Sequence, residues 1–136
     1  MATGVSISPL AKKLGMRAGQ RVLVLNPPPS YRVLLEALSR GITIADGSGG
    51  ELDFVHLFAT NERDLERAFP AAKKRLAKDG ILWASWPKGR SLEPASLSES
   101  TVRAIGLRNG LVDVKICSVD PTWSALKFVF RARDRG

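Results

Sequence analysis

Short apolar runs alternate with amphipathic segments along this chain, and the alternation predicts its secondary structure. The runs QRVLVLN, LDFVHLFA and ILWASW are apolar at almost every position and rich in branched or aromatic residues. Such runs are typical of strands that are buried on both faces, as in a parallel sheet. The segments YRVLLEALSRG and ERDLERAF instead repeat apolar residues at helical spacing. Helices that alternate with strands indicate an α/β domain.

Capping residues and prolines set the limits of the first two predicted helices. SPLAKKLGM is predicted to form a short helix with Ser8 as its N-cap, Pro9 in its first position and Gly15 at its end. The prolines that follow QRVLVLN end that strand, so that Pro29 or Ser30 begins the second helix.

One apolar face of the second helix is predicted to meet the core. That face contains Val33 or Leu34 together with Ala37 and Leu38, and Gly41 ends the helix. ITIAD is predicted as a second short strand, and GSGGE as a turn or loop.

Three helical segments are predicted around the later strands. Thr60 or Asn61 would cap the helix that starts with ERDLERAF. Pro70 would open a second helical piece, PAAKKRLAKDG, because proline is tolerated in a first turn but not in a helix interior. After ILWASW, a serine-capped helix would end at Gly110.

The end of the chain is predicted to form a β-hairpin. LVDVKICSVD and SALKFVFRA are joined by the short segment PTW, which is the spacing of an antiparallel pair. The order of elements predicts a three-layer, Rossmann-like α/β fold with a mostly parallel sheet and one antiparallel strand at an edge. We expect one such domain over residues 1–136, with a basic tail at 131–136.

The net charge of +8 is distributed unevenly along the chain. Residues 1–68 contain eight Lys or Arg and seven Asp or Glu, whereas residues 69–136 contain thirteen and six. A basic half could meet nucleic acid, an anionic ligand or an acidic protein. The alternative is a solvated helix face followed by a frayed tail. No zinc finger or aromatic-studded basic stripe supports nucleic-acid recognition.

Several classes of protein are disfavoured by composition. No apolar run approaches the roughly 20 residues that span a bilayer, so we expect no membrane partner. The N-terminus lacks the pattern of a secretory signal, and a cytoplasmic location is expected. Cys117 is the sole cysteine, so no intrachain disulfide and no Cys/His metal site can form.

The second half of the chain resembles the class I S-adenosylmethionine-dependent methyltransferases. The match consists of the strand LDFVHLF, a helix, LAKDGILWASW, a helix, and GLVDVKICSVD with its returning strand. The resemblance implies S-adenosylmethionine as a cofactor and places Asp46, at the end of the second strand, on its ribose. Nearly the whole chain also resembles a family of small bacterial proteins of unknown function, through SPLAKKLG, DGILWASWPK and GLVDVKICSVDPTWSALKF.

The chain departs from the methyltransferase pattern after its first strand. That family carries a glycine-rich loop there, and the N–H groups of the loop face the cofactor. Here Pro27, Pro28 and Pro29 occupy the loop and have no N–H groups, so the sequence disfavours S-adenosylmethionine. We also expect the loss of one strand and its helices relative to that family, since only GSGGE separates Asp46 from Leu52.

Asn26, Pro27 and Pro28 also resemble part of a catalytic signature. Asn-Pro-Pro followed directly by an aromatic residue marks methyltransferases that act on amino groups of nucleic-acid bases or glutamine. Here Pro29 and Ser30 intervene before Tyr31. We interpret the stretch as a strand end followed by a helix start.

The fold predicts where a ligand would bind. In open parallel sheets, ligands bind beyond the carboxyl ends of the strands. The residues predicted at those ends are Asn26, Tyr31, Asp46, Thr60, Asn61, Trp86, Lys88, Asp120, Thr122, Trp123 and Ser124. Two indoles and several polar groups would provide the mixture that a pocket needs. Alternatively, SWPK and DPTWS are turns whose tryptophans cover the sheet edge.

The chain has few candidates for catalysis. His56 falls within a central strand and is expected to be a packed core residue, and Cys117 falls within another strand. We therefore expect a non-catalytic or cryptic domain that binds a ligand or partner through Trp86, Lys88, Asp120 and Trp123. A small methyltransferase with an atypical loop is one alternative. A basic module that docks on nucleic acid or protein is another.

Overall fold

Helices and strands alternate along the chain, as the hydrophobic pattern predicts. The computed structural model describes residues 9–38, 41–45, 50–88 and 97–135. The helices in these ranges are α1 (Pro9–Leu14), α2 (Pro29–Leu38), α3 (Glu62–Arg75), α4 (Glu99–Arg108) and α5 (Ala132–Arg135). The strands are β1 (Arg21–Leu25), β2 (Thr43–Ile44), β3 (Leu52–Phe58), β4 (Leu76–Pro87), β5 (Leu111–Ser118) and β6 (Trp123–Phe130). None of these helices has both the length and the apolar character needed to span a membrane.

The strands form one sheet in the order β2-β1-β3-β4-β6-β5. β2, β1, β3 and β4 are parallel, whereas β6 runs antiparallel to both β4 and β5. This confirms the predicted Rossmann-like class with a C-terminal hairpin. The antiparallel strand lies one position in from the edge, which differs from the prediction. The reason is that β6 returns between β4 and β5 and leaves β5 outermost.

Two separate hydrophobic cores lie on the two faces of the sheet. The face covered by α1 and α2 buries Tyr31 and Trp83, and the Trp83 Nε1 donates to the Leu14 carbonyl at 2.7 Å. The face covered by α3 and α4 buries Phe69 and Phe128, whose rings meet edge to face at 5.4 Å. Helices on both faces give the three layers predicted from the sequence.

Helix α3 runs without a break from Glu62 to Arg75, so the predicted helix start at Pro70 is wrong. Pro70 removes one backbone hydrogen bond, to the carbonyl of Glu66. Both residues are exposed, so water can satisfy that carbonyl. Phe69 and Ala72, on either side of the proline, are buried against the sheet and hold the helix together.

Strand β4 begins at Leu76, directly after α3, so the predicted continuation of the helix through LAKDG is also wrong. Leu76 pairs with Leu52, and the next register pair is Ile81 with Phe54, so residues 77–80 bulge from the ladder. Burial of Leu76 in the core favours this bulge over another helical turn. A Cβ at Gly80 would lie 2.7 Å from the Leu76 Cδ1, which explains the glycine.

The structure excludes one of the two alternatives predicted for the inward face of α2. Val33 is 66% exposed, so of the alternatives Val33 and Leu34 it is not Val33 that faces the core. Tyr31 and Leu35, one helical turn apart, pack into the core instead. The side chains of Leu34, Ala37 and Leu38, and Ser8 as a cap, lie outside the described residues.

Candidate functional site

The loop after β1 is short and has few backbone donors. Asn26 has a φ of 57°, a left-handed conformation that turns the chain sharply at the end of the strand. α2 then begins at Pro29, as one of the two predicted starts. The backbone N–H groups of Tyr31 and Arg32 both donate to the Pro28 carbonyl, at 3.0 and 3.1 Å. Because residues 27–29 are prolines, this loop cannot form a cradle of N–H groups.

Tyr31, a predicted ligand residue, belongs to a buried polar chain instead. Its hydroxyl lies 2.8 Å from the His56 Nδ1, and the His56 Nε2 lies 2.6 Å from the Ser85 Oγ. All three side chains are buried, and the His56 ring stacks on Phe58 at 4.1 Å. The predicted core role of His56 agrees with this burial. The part played by Ser85 was missed, although it is the polar position within ILWASW.

Burial keeps the side chains of this buried polar chain uncharged. Desolvation lowers the pKa of His56 to about 3 and raises the pKa of Tyr31 well above its ordinary value, with a smaller contribution from Cys117. A neutral imidazole donates from one ring nitrogen and accepts at the other, so His56 can satisfy both neighbours at once. The buried polar chain therefore links α2 to β3 and β4 and offers no solvent-accessible base.

Two lysines from distant parts of the sequence meet at the end of β5. The Lys13 Nζ, on α1, donates to the Ser118 carbonyl at 3.0 Å. The Lys88 Nζ, directly after β4, donates to the Ser118 Oγ at 2.5 Å. Among the described residues, neither lysine has a carboxylate within ion-pair distance. The carboxyl edge therefore carries two adjacent ammonium groups, of which the sequence predicted only Lys88.

The turn between β5 and β6 positions Ser118 and the backbone of Lys88. The Asp120 Oδ1 accepts hydrogen bonds from the backbone N–H groups of Thr122 and Trp123, at 2.7 and 2.8 Å. The Lys88 N–H donates to the Thr122 carbonyl at 2.7 Å, and the Ser118 Oγ donates to the Asp120 carbonyl at 3.1 Å. Asp120 thus stabilises the turn, including Thr122, whose carbonyl accepts from Lys88.

The two predicted tryptophans lie on opposite faces of the sheet. Trp86 is buried in the core under α3 and α4. Trp123 is half-buried on the other face and meets Phe58 edge to face at 5.1 Å. Ser124 pairs in register with Trp86, so it lies within the sheet. Only Trp123 of the two indoles is on the same face as the buried polar chain and reaches solvent.

The remaining predicted residues are spread along the edge. Asn61 is the cap of α3, since its Oδ1 accepts from the Asp64 N–H at 2.9 Å, and Thr60 is exposed beside it. Asp46 lies outside the described residues. Within the described part of the chain, no three His, Cys, Asp or Glu side chains are grouped to hold a metal ion.

Cys117 lies next to the lysine pair but is a poor nucleophile. Burial raises the pKa of its thiol, while Lys13 and Lys115 pull that pKa down by a smaller amount. The thiol is therefore protonated near neutral pH. What the edge offers chemically is a pair of ammonium groups that converge on Ser118, with the half-buried Trp123 at the start of the neighbouring strand β6.

Solved structures share this fold, although no protein-family model and no curated protein matches the chain. The pyocyanin biosynthetic protein PhzM superposes with a TM-score of 0.60 at 11% identity, covering 89% of this chain and 53% of PhzM. Magnesium protoporphyrin IX methyltransferase from Synechocystis PCC 6803, with bound SAH, superposes with a TM-score of 0.60 at 14% identity. The match covers 90% of this chain and 80% of that enzyme. A SAM-dependent methyltransferase from Aquifex aeolicus superposes with a TM-score of 0.58 at 14% identity. The match covers 88% of this chain and 86% of that enzyme. This chain thus spans about half the length of PhzM.

The loop after β1 tests whether the cofactor of these enzymes fits this chain. Asn26 supplies the left-handed turn that a glycine would otherwise provide. The three prolines that follow supply no N–H donors. In the first turn of α2, the N–H groups of Tyr31 and Arg32 already donate to the Pro28 carbonyl. The described residues therefore do not provide a backbone cradle for S-adenosylmethionine. At these identities the comparisons establish the fold alone: it is that of the S-adenosylmethionine-dependent methyltransferases.

Proposed function

We propose that this protein is a non-catalytic binding domain that holds an anionic small ligand at the carboxyl edge of its sheet. The observation that carries the proposal is the convergence of Lys13 and Lys88 on Ser118. Two ammonium groups with no carboxylate at ion-pair distance in the described part of the chain attract a phosphate or carboxylate group. Their position agrees with the general rule that ligands of open α/β sheets bind at the carboxyl ends of the strands.

The neighbours of the lysine pair suggest the rest of the ligand. Trp123 is half-buried beside the same turn, and its indole can cover an apolar or aromatic body. The Asp120 turn keeps its backbone groups paired, so the ligand would meet a rigid edge. A ligand that joins an anionic group to a planar ring, such as a nucleoside monophosphate, matches this arrangement.

The titratable groups near the edge favour binding over catalysis. His56 is buried and neutral, and the thiol of Cys117 is held protonated by burial. The carboxylate of Asp120 is engaged by two backbone N–H groups. A general base needs an accessible atom with a pKa near the working pH, and neither His56 nor Cys117 meets that condition.

Calorimetric titration with adenosine monophosphate and with inorganic pyrophosphate tests the proposal. We expect the Lys13→Ala/Lys88→Ala variant to bind at least about tenfold more weakly, because each charge-assisted contact is worth about that factor. The control variant Arg63→Ala/Arg67→Ala removes two exposed cations of α3 and should bind as the unmodified protein does. Absence of binding, or equal affinity in both variants, would contradict the proposal.

A small S-adenosylmethionine-dependent methyltransferase with an atypical loop is the second candidate. It is supported by the fold of the solved structures, some of which contain SAH or SAM. This candidate predicts that S-adenosylmethionine binds and that Asp46→Ala abolishes the binding. If the unmodified protein binds no S-adenosylmethionine, the candidate fails.

A further inference from the structure

A second charged surface lies at the opposite edge of the sheet, near the end of α3, the start of β4 and the end of β6. Two segments far apart in sequence, residues 73–79 and 131–135, contain seven Lys or Arg and two Asp or Glu. We call these two segments the basic amino edge. Its cations are Lys73, Lys74, Arg75, Lys78, Arg131, Arg133 and Arg135.

The ring of Phe130 joins the two segments. The Lys73 Nζ lies 5.8 Å from the ring centroid, and the Lys78 Nζ lies 4.7 Å from it. Phe130 directly precedes Arg131, and α5 packs against β4. The solvated helix face and the basic tail, which are separate features of the sequence, are therefore one surface in the structure. Residues 132–135 are helical rather than frayed.

Helix-end carbonyls and nearby carboxylates stabilise only some of the cations of the basic amino edge. The last turn of α3 stabilises cations through its free carbonyls, which explains Lys73, Lys74 and Arg75. It does not explain Lys78 or the arginines of α5. Within the described residues, the three lysines have no carboxylate at ion-pair distance, and the Arg133–Asp134 pair is long, at 3.9 Å, and exposed.

We propose that the basic amino edge binds the phosphate backbone of nucleic acid without reading its sequence. Four of its seven cations are arginines, whose planar guanidinium groups bind phosphate oxygens in pairs. The cation–π contacts to Phe130 hold two of the lysines in place before a partner arrives. The partner is thus a polyanion of repeated phosphates, bound at a different edge from the small ligand proposed above.

The composition of this surface favours nucleic acid over two other polyanionic partners. Among the described residues, the large exposed apolar side chains are Val33, Ile44, Leu107, Val114 and Ile116, and none belongs to the basic amino edge. A protein interface normally has an apolar or aromatic centre, and stable membrane attachment needs an apolar anchor besides charge. The basic amino edge provides charge alone, which is sufficient for phosphate-backbone binding.

Fluorescence anisotropy with a short labelled DNA duplex, repeated over a series of salt concentrations, tests this proposal. The variant Lys78→Gln/Arg133→Gln/Arg135→Gln changes three exposed side chains. We expect it to bind roughly tenfold more weakly and to lose about one unit of salt slope for each cation that contacts a phosphate. The matched control Arg32→Gln/Arg63→Gln/Arg67→Gln removes three exposed cations elsewhere and should keep most of the affinity.

The same assay separates nucleic acid from the other polyanions. Vesicles of phosphatidylserine and phosphatidylcholine, and poly-glutamate of matched charge, should bind more weakly than the duplex. Equal loss of affinity in the two triple variants would overturn the proposal. Tighter binding to the vesicles or to poly-glutamate, or no binding of the duplex at low salt, would also overturn it.

Discussion

The two edges of one sheet carry positive charge in different ways. At the carboxyl edge, Lys13 and Lys88 are each hydrogen-bonded to Ser118, and the Asp120 turn fixes their surroundings. At the basic amino edge, the cations come from the end of α3, the start of β4 and residues 131–135, and two of them, Lys73 and Lys78, lie over the ring of Phe130.

This difference in geometry suits the two edges to two kinds of ligand, a small anion and a polyanion. Fixed donors at one turn suit a small ligand whose anionic group must fit a defined place. A dispersed set of cations suits a polymer whose phosphates are repeated and interchangeable. Affinity at the basic amino edge should therefore fall much more steeply with salt than affinity at the carboxyl edge.

The largest expected effect concerns the scaffold that both edges share. A Cβ at Gly106, on α4, would lie 2.0 Å from the Phe128 ring, so α4 can approach β6 only through a glycine. We expect Gly106→Ala to lower the free energy of unfolding by about 3 kcal/mol, measured by urea denaturation. The exposed neighbour Ala104, changed to Ser, should alter it by less than about 0.5 kcal/mol. Equal stability of the two variants would show that α4 is free to shift.

The next effect concerns the pH dependence of stability, because His56 is fully buried and is the sole histidine of the chain. Its pKa is lowered to about 3 in the folded protein, whereas the unfolded chain binds the proton below about pH 6.5. The unfolded state therefore holds more protons between these values. Stability should fall as the pH falls through this window, by about 1.4 kcal/mol for each pH unit.

Urea midpoints between about pH 7 and pH 5.5 measure this dependence above the range where most carboxyl groups titrate. His56→Gln should remove the slope, although it also lowers stability at every pH. A flat profile for the unmodified protein, or the same slope in the variant, would show that His56 is not held neutral.

A smaller effect concerns the link between α2 and the sheet. Tyr31→Phe removes the hydroxyl that lies 2.8 Å from His56 and leaves one imidazole nitrogen without a partner. We expect a loss of about 1 to 2 kcal/mol in the free energy of unfolding. Val33→Ala, at the exposed face of the same helix, serves as the control and should be nearly neutral. A neutral Tyr31→Phe would mean that the hydrogen bond contributes nothing.

The smallest effect refines the carboxyl edge itself. Trp123→Phe keeps an aromatic ring against Phe58 but reduces the area available to a ligand. We expect about a threefold weaker affinity for adenosine monophosphate and no change for pyrophosphate, since only the former has a ring to cover. Calorimetry with both ligands measures this, and equal changes for the two would argue against a role of the indole in selectivity.

Much of the fold could be predicted because local signals agreed with tertiary packing. Apolar runs gave the buried strands, and Asn61 and Gly110 gave helix ends. The errors at Pro70 and Leu76 have one cause, since burial against the sheet outweighed local preference. At the site, Lys88 was identified from its place after a strand. Its partner Lys13 is 105 residues from Ser118, and only the folded chain brings them together.

The central claim is that the proline loop after β1 has replaced a cofactor cradle and that the carboxyl edge binds an anion instead. Calorimetric titration of the unmodified protein with S-adenosylmethionine tests it most directly, with adenosine monophosphate as the comparison ligand. We expect binding of adenosine monophosphate and no detectable binding of S-adenosylmethionine at micromolar concentrations. Micromolar binding of S-adenosylmethionine would contradict the claim and establish that a loop of Pro27, Pro28 and Pro29 can hold the cofactor.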